Sequence, residues 1–149
     1  MRTMAAAFAV VALAGCDSGS EDEAQTTPRP QPREPGYARL IREWSKAVNA
    51  ERYERAAGFF APGAIVDQGR EFRLEDRRAA IFFNSTLPCK ADVTDIDGEG
   101  DILLAAFRLR NGPGGSCDGA ARVRFRFRNG KFIEWRQLAQ PEAPPGGVL

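Results

Sequence analysis

From Arg122 to Trp135 the chain alternates charged and apolar residues across a turn signal, and no other stretch of it leaves the backbone so little choice. Arg122, Arg124, Arg126 and Arg128 interleave with Val123, Phe125 and Phe127; Asn129-Gly130 follows, and then Lys131-Phe132-Ile133-Glu134-Trp135. A period of two places successive side chains on opposite faces of a strand, so an antiparallel hairpin with one apolar and one charged face is predicted. Register decides which residues meet. A two-residue turn at Asn129-Gly130 would set Phe125 opposite Glu134 and Arg124 opposite Trp135, mixing the faces. A three-residue loop with Gly130 in a left-handed bulge pairs Phe125 with Ile133, Val123 with Trp135 and Arg124 with Glu134. The second register keeps both faces uniform and is the one expected.

The same logic extends the sheet to four strands, at 90–96, 101–110, 120–128 and 131–139. A tight connection is expected at 97–100 and a Gly-rich loop at 111–119. Before the sheet the period changes. Leu40, Ile41, Trp44 and Val48 recur at three- and four-residue spacing, giving a helix of about thirteen residues that ends at Asn49-Ala50. Tyr53, Ala56, Ala57 and Phe60 suggest a second, shorter helix stopped by Pro62-Gly63. Residues 64–67 read as a short strand. Residues 75–86 read as a third helix, with Ala79, Ile81, Phe82 and Phe83 packing inward and Leu87-Pro88 ending it. Helices first and sheet second make an α+β domain over 37–140, followed by a loose tail at 141–149.

Composition removes several chemistries. The chain has no histidine, which excludes Ser-His and Cys-His nucleophile pairs and His-ligated metals. Its 21 basic and 20 acidic side chains nearly cancel, so net charge offers nothing to nucleic acid. No calcium-ligand spacing occurs, and Asp95-Ile96-Asp97-Gly98-Glu99 reads as an acidic turn. Neither a metal nor a cofactor is expected.

The N-terminus reads as an export signal. After Met1-Arg2-Thr3, residues 4–14 form an uninterrupted apolar run, too short for a bilayer span of roughly 20 residues but suited to a secretory signal. It ends in Leu13-Ala14-Gly15-Cys16, which resembles the bacterial lipobox. That resemblance implies a signal peptide over 1–15 and thioether-linked diacylglycerol on Cys16, with the protein held at the extracytoplasmic face of the cell membrane. Residues 16–36 lack aromatic and branched aliphatic side chains, open acidic and turn proline-rich, as expected of a disordered tether. Twenty such residues reach on the order of 25–60 Å. With Cys16 lipidated, Cys89 and Cys117 remain as an even pair in an oxidising compartment, where a disulfide is expected rather than a catalytic thiol.

Three stretches carry a resemblance that spans 37–139: Trp44-Ser45-Lys46-Ala47-Val48-Asn49-Ala50, then Tyr53-Glu54-Arg55-Ala56-Ala57-Gly58-Phe59-Phe60-Ala61-Pro62-Gly63-Ala64, and Asn129-Gly130-Lys131-Phe132-Ile133-Glu134-Trp135. In combination they resemble the NTF2-like domains of the SnoaL-like branch. The resemblance implies a cone in which three N-terminal helices cover a curved antiparallel sheet and leave a pocket at its open end. It also implies steroid-isomerase or polyketide-cyclase chemistry in some members, ligand or partner binding in others, and dimerisation through the sheet. Laid on the isomerase pattern, the general-base position falls on Gln68, which takes no proton usefully. The oxyanion-stabilising tyrosine falls near Trp44, which donates one hydrogen bond but is no acid. No catalytic residue is therefore assigned.

Trp44, Phe60, Gln68, Phe83, Phe107, Phe125 and Trp135 are the candidate pocket residues, suited to a small apolar ligand. The expectation is a membrane-tethered, non-catalytic domain that binds such a ligand or an envelope protein, with a pocket-based isomerase or cyclase as the alternative. The arginine row at 122–128, reinforced by Arg108 and Arg110, reads as the solvated convex face of the sheet. A cationic stripe for anionic lipid, glycan or a partner is its sharper alternative.

Overall fold

A computed structural model of the chain describes residues 36–140. The signal segment 1–15, Cys16, the tether up to residue 35 and the tail 141–149 lie outside the described residues. Gly36, assigned to the tether from sequence, is the first residue of a helix.

The elements follow in the order α1 (Gly36–Asn49), α2 (Tyr53–Ala57), β1 (Phe60–Asp67), β2 (Glu71–Leu74), α3 (Arg77–Ser85), β3 (Lys90–Glu99), β4 (Ile102–Arg110), β5 (Ala120–Arg128) and β6 (Lys131–Leu138). α1 buries Ala38, Ile41, Trp44, Ser45, Ala47 and Val48, an apolar stripe at the helical period. α3 begins where the Asp76 carboxylate caps the Ala79 N–H at 2.8 Å. That helix turns Ala80, Phe83 and Asn84 inward, while Phe82 points out and is 69% exposed, against expectation. Phe82 and Phe83 are neighbours on a helix, 100° apart, so only one of them reaches the core.

The strands form one six-stranded sheet in the order β2-β1-β6-β5-β4-β3. It is mixed rather than wholly antiparallel, because β1 runs parallel to β6. Three sequence readings change here. Phe60, expected at the end of the second helix, opens β1 instead, opposite Phe132. Its burial against Phe132, Phe83 and Trp44 outweighs one more turn of a five-residue helix. Pro62 and Gly63 are tolerated in β1 because they fall in the irregular stretch between Phe60 and Ile65, where a missing N–H breaks no ladder bond. β2, which the sequence left unassigned, pairs with β1 through a three-residue connection; only Leu74 of its four residues is buried, so no periodic signal marks it. Asp95 to Glu99 is not a turn but the end of β3, paired with Ile102 to Ala106.

The hairpin register also differs. Asn129 and Gly130 both have positive φ, 50° and 72°, as a two-residue turn of the mirror-image type requires, and Arg128 faces Lys131. The extra residue enters in β6 instead: Phe127 faces Phe132 and Arg126 faces Glu134, which leaves Ile133 as a bulge. Phe125 therefore faces Trp135, and Phe132 and Trp135, three apart, both point inward. The sequence choice between two regular registers missed that a bulge within the strand keeps both faces uniform while retaining the tighter turn. Arg124 still reaches Glu134, diagonally, at 2.7 Å.

Trp44 sits at the centre of the core. Its indole makes edge-on contacts with Phe60, Phe107, Phe125, Phe132 and Trp135, at centroid distances of 5.7 to 6.4 Å. Such T-shaped pairs set the positive ring edge against a negative face and fix how α1 lies across the sheet.

Candidate functional site

α1 runs from the β5–β6 turn, where Tyr37 stacks on Phe127 at 4.3 Å, toward the opposite end of the sheet. There an apolar cleft of about 150 Å³, open to solvent, lies between its last two turns and the strands. One wall is Trp44, Ser45, Val48 and Asn49 of α1. The floor is Phe107 and Leu109 of β4, Ala121 and Val123 of β5, and Trp135 of β6. The third wall is Leu87-Pro88-Cys89, between α3 and β3.

The polar groups in these walls are already engaged. Asn49 imitates a strand at the sheet edge: its carbonyl oxygen accepts from Ala91 N–H at 2.9 Å, and its amide donates to Ala91 C=O at 3.1 Å and to Asp92 Oδ1 at 3.1 Å. Ser45 Oγ donates to the same carbonyl at 2.6 Å. The Trp44 indole donates to Asn84 Oδ1 at 2.8 Å, and Asn84 is held by donating to Ala80 C=O at 2.7 Å. Trp135 Nε1 is buried with no hydrogen-bond partner, and the Trp135 ring packs edge-on against Phe83 at a centroid distance of 5.3 Å. The free polar groups stand at the rim, where the carboxamides of Gln68 and Gln137 are exposed and bond to no other described residue.

No residue lining the cleft is a carboxylic acid, lysine or tyrosine, and its one cysteine, Cys89, is in a disulfide. The nearest carboxylates belong elsewhere. Asp67 lies on the other face of β1, ion-paired with Arg136. Asp92 sits beyond Asn49, and the hydrogen bond from Arg110 holds its carboxyl below the ordinary range, so it stays ionised. Among the described residues no group of three or more potential metal ligands occurs, and no helix is long and apolar enough to cross a membrane.

Of the seven candidate pocket residues, Trp44, Gln68, Phe107 and Trp135 line the cleft. Phe60, Phe83 and Phe125 lie behind it as core. Missed by the sequence reading were the Leu87-Pro88-Cys89 wall and the pairing of Asn49 with Ala91. An asparagine at a helix end reads only as a breaker until the strand beside it is known.

Cys89 and Cys117 are bonded, with an S–S distance of 2.05 Å and Cα atoms 5.8 Å apart. The bridge ties the 111–119 loop to the cleft wall. Gly114 N–H donates to Pro88 C=O at 2.9 Å, and a Cβ at Gly112 would fall 2.7 Å from Pro88 O and Lys90 N. The loop is glycine-rich because it lies flat on this backbone.

Solved structures share the architecture. A protein of unknown function from Burkholderia xenovorans, described as NTF2-like, superposes with a TM-score of 0.57 at 22% identity, over 74% of this chain and 88% of that one. A candidate ketosteroid isomerase from Kribbella flavida gives 0.58 at 18% identity, over 74% and 84%. A SnoaL-like candidate polyketide cyclase from Jannaschia gives 0.58 at 18%, over 72% and 90%. No family profile and no curated protein matches the chain. The chain has an α+β fold of the NTF2-like cone class. Within that class its structural likenesses are to proteins described as ketosteroid isomerases, SnoaL-like polyketide cyclases and NTF2-like proteins of unknown function.

Proposed function

We propose that this chain is a lipid-anchored extracytoplasmic domain whose cleft binds a small, flat apolar ligand without chemical turnover. The observation that carries the reading is the cleft's lining: apolar walls, no ionisable side chain, and every inner polar group satisfied or sealed. General acid–base chemistry needs a proton carrier within hydrogen-bond reach of the reacting atom, and this lining has none. A volume of about 150 Å³ is what one aromatic ring fills when the walls are apolar. Gln68 and Gln137 at the rim suit a ligand with a polar outer end, or the surface of an envelope protein that delivers it. The isomerase or cyclase alternative rests on the likeness to proteins described that way, and it would require a reacting group supplied by the substrate.

Trp44 and Trp135 border the cleft and report on it. Titrating the chain with a single-ring apolar probe is expected to change their fluorescence saturably. Ala121→Phe, which fills the floor, is expected to weaken that binding at least about tenfold, at a packing cost of about 1–3 kcal/mol. Saturation with equal affinity in the variant would place the ligand elsewhere.

The anchor is tested separately. Cys16→Ser expressed with radioactive palmitate is expected to lose the label and leave the membrane fraction; a variant still labelled would remove the anchor from the proposal. Two or three acyl chains, at about 0.8 kcal/mol per buried methylene, hold stably where one does not.

A further inference from the structure

α1 borders two different cavities. Its Ser45, Val48 and Asn49 stripe faces the apolar cleft. Roughly half a turn around the helix, Glu43, Lys46 and Ala47 line a second, charged recess of about 180 Å³, completed by Arg52 and Arg55 beyond the end of α1.

The backbone fixes where these arginines stand. α1 ends in a turn in which Arg52 N–H donates to Ala47 C=O and Glu51 N–H to Val48 C=O, both at 2.9 Å. Helices that stop this way place a left-handed residue just beyond the cap, most often glycine. Here it is Glu51, with φ at 58°. The turn leads straight into α2, where Ala56 N–H donates to Arg52 C=O at 2.9 Å. Arg52 is thereby held at both its N–H and its C=O. Arg55, three residues on, stands beside it on the same side of α2. Lys46 approaches from the last turn of α1.

Three cations and one acid line this recess. Lys46, Arg52 and Arg55 are exposed, and no described carboxylate pairs with them. Glu43 is shared with Arg39, one turn back on α1, at 4.0 Å. Glu51 and Glu54 are neighbours of the arginines in sequence but line no part of the recess. Like charges gathered round one concavity repel each other, and the surplus of two suits a dianion. Guanidinium forks offer paired N–H bonds to phosphate oxygens, and an ammonium adds a point charge.

We infer that the recess binds a phosphate monoester, carried on a lipid headgroup or on a soluble molecule, with Arg52 and Arg55 holding its oxygens and Lys46 its charge. This goes beyond the ligand-binding reading and stands independently of both the cleft and the anchor. A monoester at neutral pH carries close to two negative charges, more than a diester, so the recess prefers it. Glu43 opposes the anion, and its charge weakens the site.

The test titrates the full chain, in non-ionic detergent at constant ionic strength, by calorimetry. Inorganic phosphate is one probe; phosphatidic acid and phosphatidylglycerol, doped into the same micelles, are the others. Phosphate or phosphatidic acid is expected to bind saturably, with a dissociation constant of about 1 mM or tighter. Phosphatidic acid alone would assign the site to lipid, and phosphate binding as well to the free monoester. Arg52→Gln with Arg55→Gln should raise the dissociation constant at least about tenfold. Glu43→Gln should lower it, a change of sign that loss of folding does not produce. The altered side chains are exposed, so without phosphate each variant should keep the thermal midpoint of the unaltered chain. Saturable binding of neither monoester, unchanged affinity in the double variant, weaker binding in Glu43→Gln, or equal affinity for phosphatidylglycerol would each overturn the inference.

Discussion

Replacing Trp44 with alanine is expected to destabilise the domain by about 3–5 kcal/mol, more than any other single substitution near the cleft. The indole is 3% exposed and touches five aromatic rings drawn from β1, β4, β5 and β6. Its removal deletes that packing and leaves a void next to the cleft. It also strands Asn84 Oδ1, a fully buried acceptor with no other partner, and an orphaned buried acceptor adds about 1–3 kcal/mol. Trp44→Phe separates the two contributions, because it keeps a ring but loses the N–H; it should cost about half as much as alanine or less. Urea unfolding measures both. If alanine and phenylalanine cost the same, the hydrogen bond to Asn84 is the whole effect and the packing account fails.

Breaking the Cys89–Cys117 bridge is the second large effect. The bond closes a loop of 28 residues, and its loss, as Cys89→Ser with Cys117→Ser, is expected to cost about 3.5 kcal/mol through the larger freedom of the unfolded chain. The local consequence differs from that of Trp44. The bridge pins the 111–119 loop against Pro88, and Leu87-Pro88-Cys89 is one of the three cleft walls. The double serine variant, or the native chain under reductant, is therefore expected to bind an apolar probe more weakly, even well below its unfolding temperature. Unchanged affinity in the reduced chain would mean that the wall stands without the bridge, held by the Gly114–Pro88 hydrogen bond and the close glycine contacts alone.

Much of the fold was legible because it rests on periodicity. α1 carries four large apolar residues on one stripe, and β5 alternates without a break, so both could be located from side-chain order alone. What failed depended on partners distant in sequence. Phe60 fits a helical stripe with Tyr53 and Ala56, yet its place in β1 is decided by Phe132, more than seventy residues later. Ile133 bulges because both Phe132 and Trp135 have core sites to fill, which no local rule encodes. The parallel pairing of β1 with β6 is equally non-local.

The cleft was legible in part for the same reason. Trp44, Phe107 and Trp135 announce themselves as inward-facing aromatics. Whether such an aromatic lines a cleft or fills the core depends on how α1, α3 and the sheet close around it. Phe60, Phe83 and Phe125 are buried in the core and line no part of the cleft. The carboxamide of Asn49, which holds α1 to β3 through Ala91, gives no signal until its partner strand is placed.

The central claim is that the cleft binds an apolar molecule with no proton carrier of its own. Its most direct test is the affinity of the unaltered chain for a single-ring apolar probe between about pH 5 and 9, where a carboxylate or amine shifted by burial would titrate. A saturable affinity that stays flat across that range is the expected result. An affinity that falls or rises through a single titration step would reveal an ionisable group in the cleft and contradict the account.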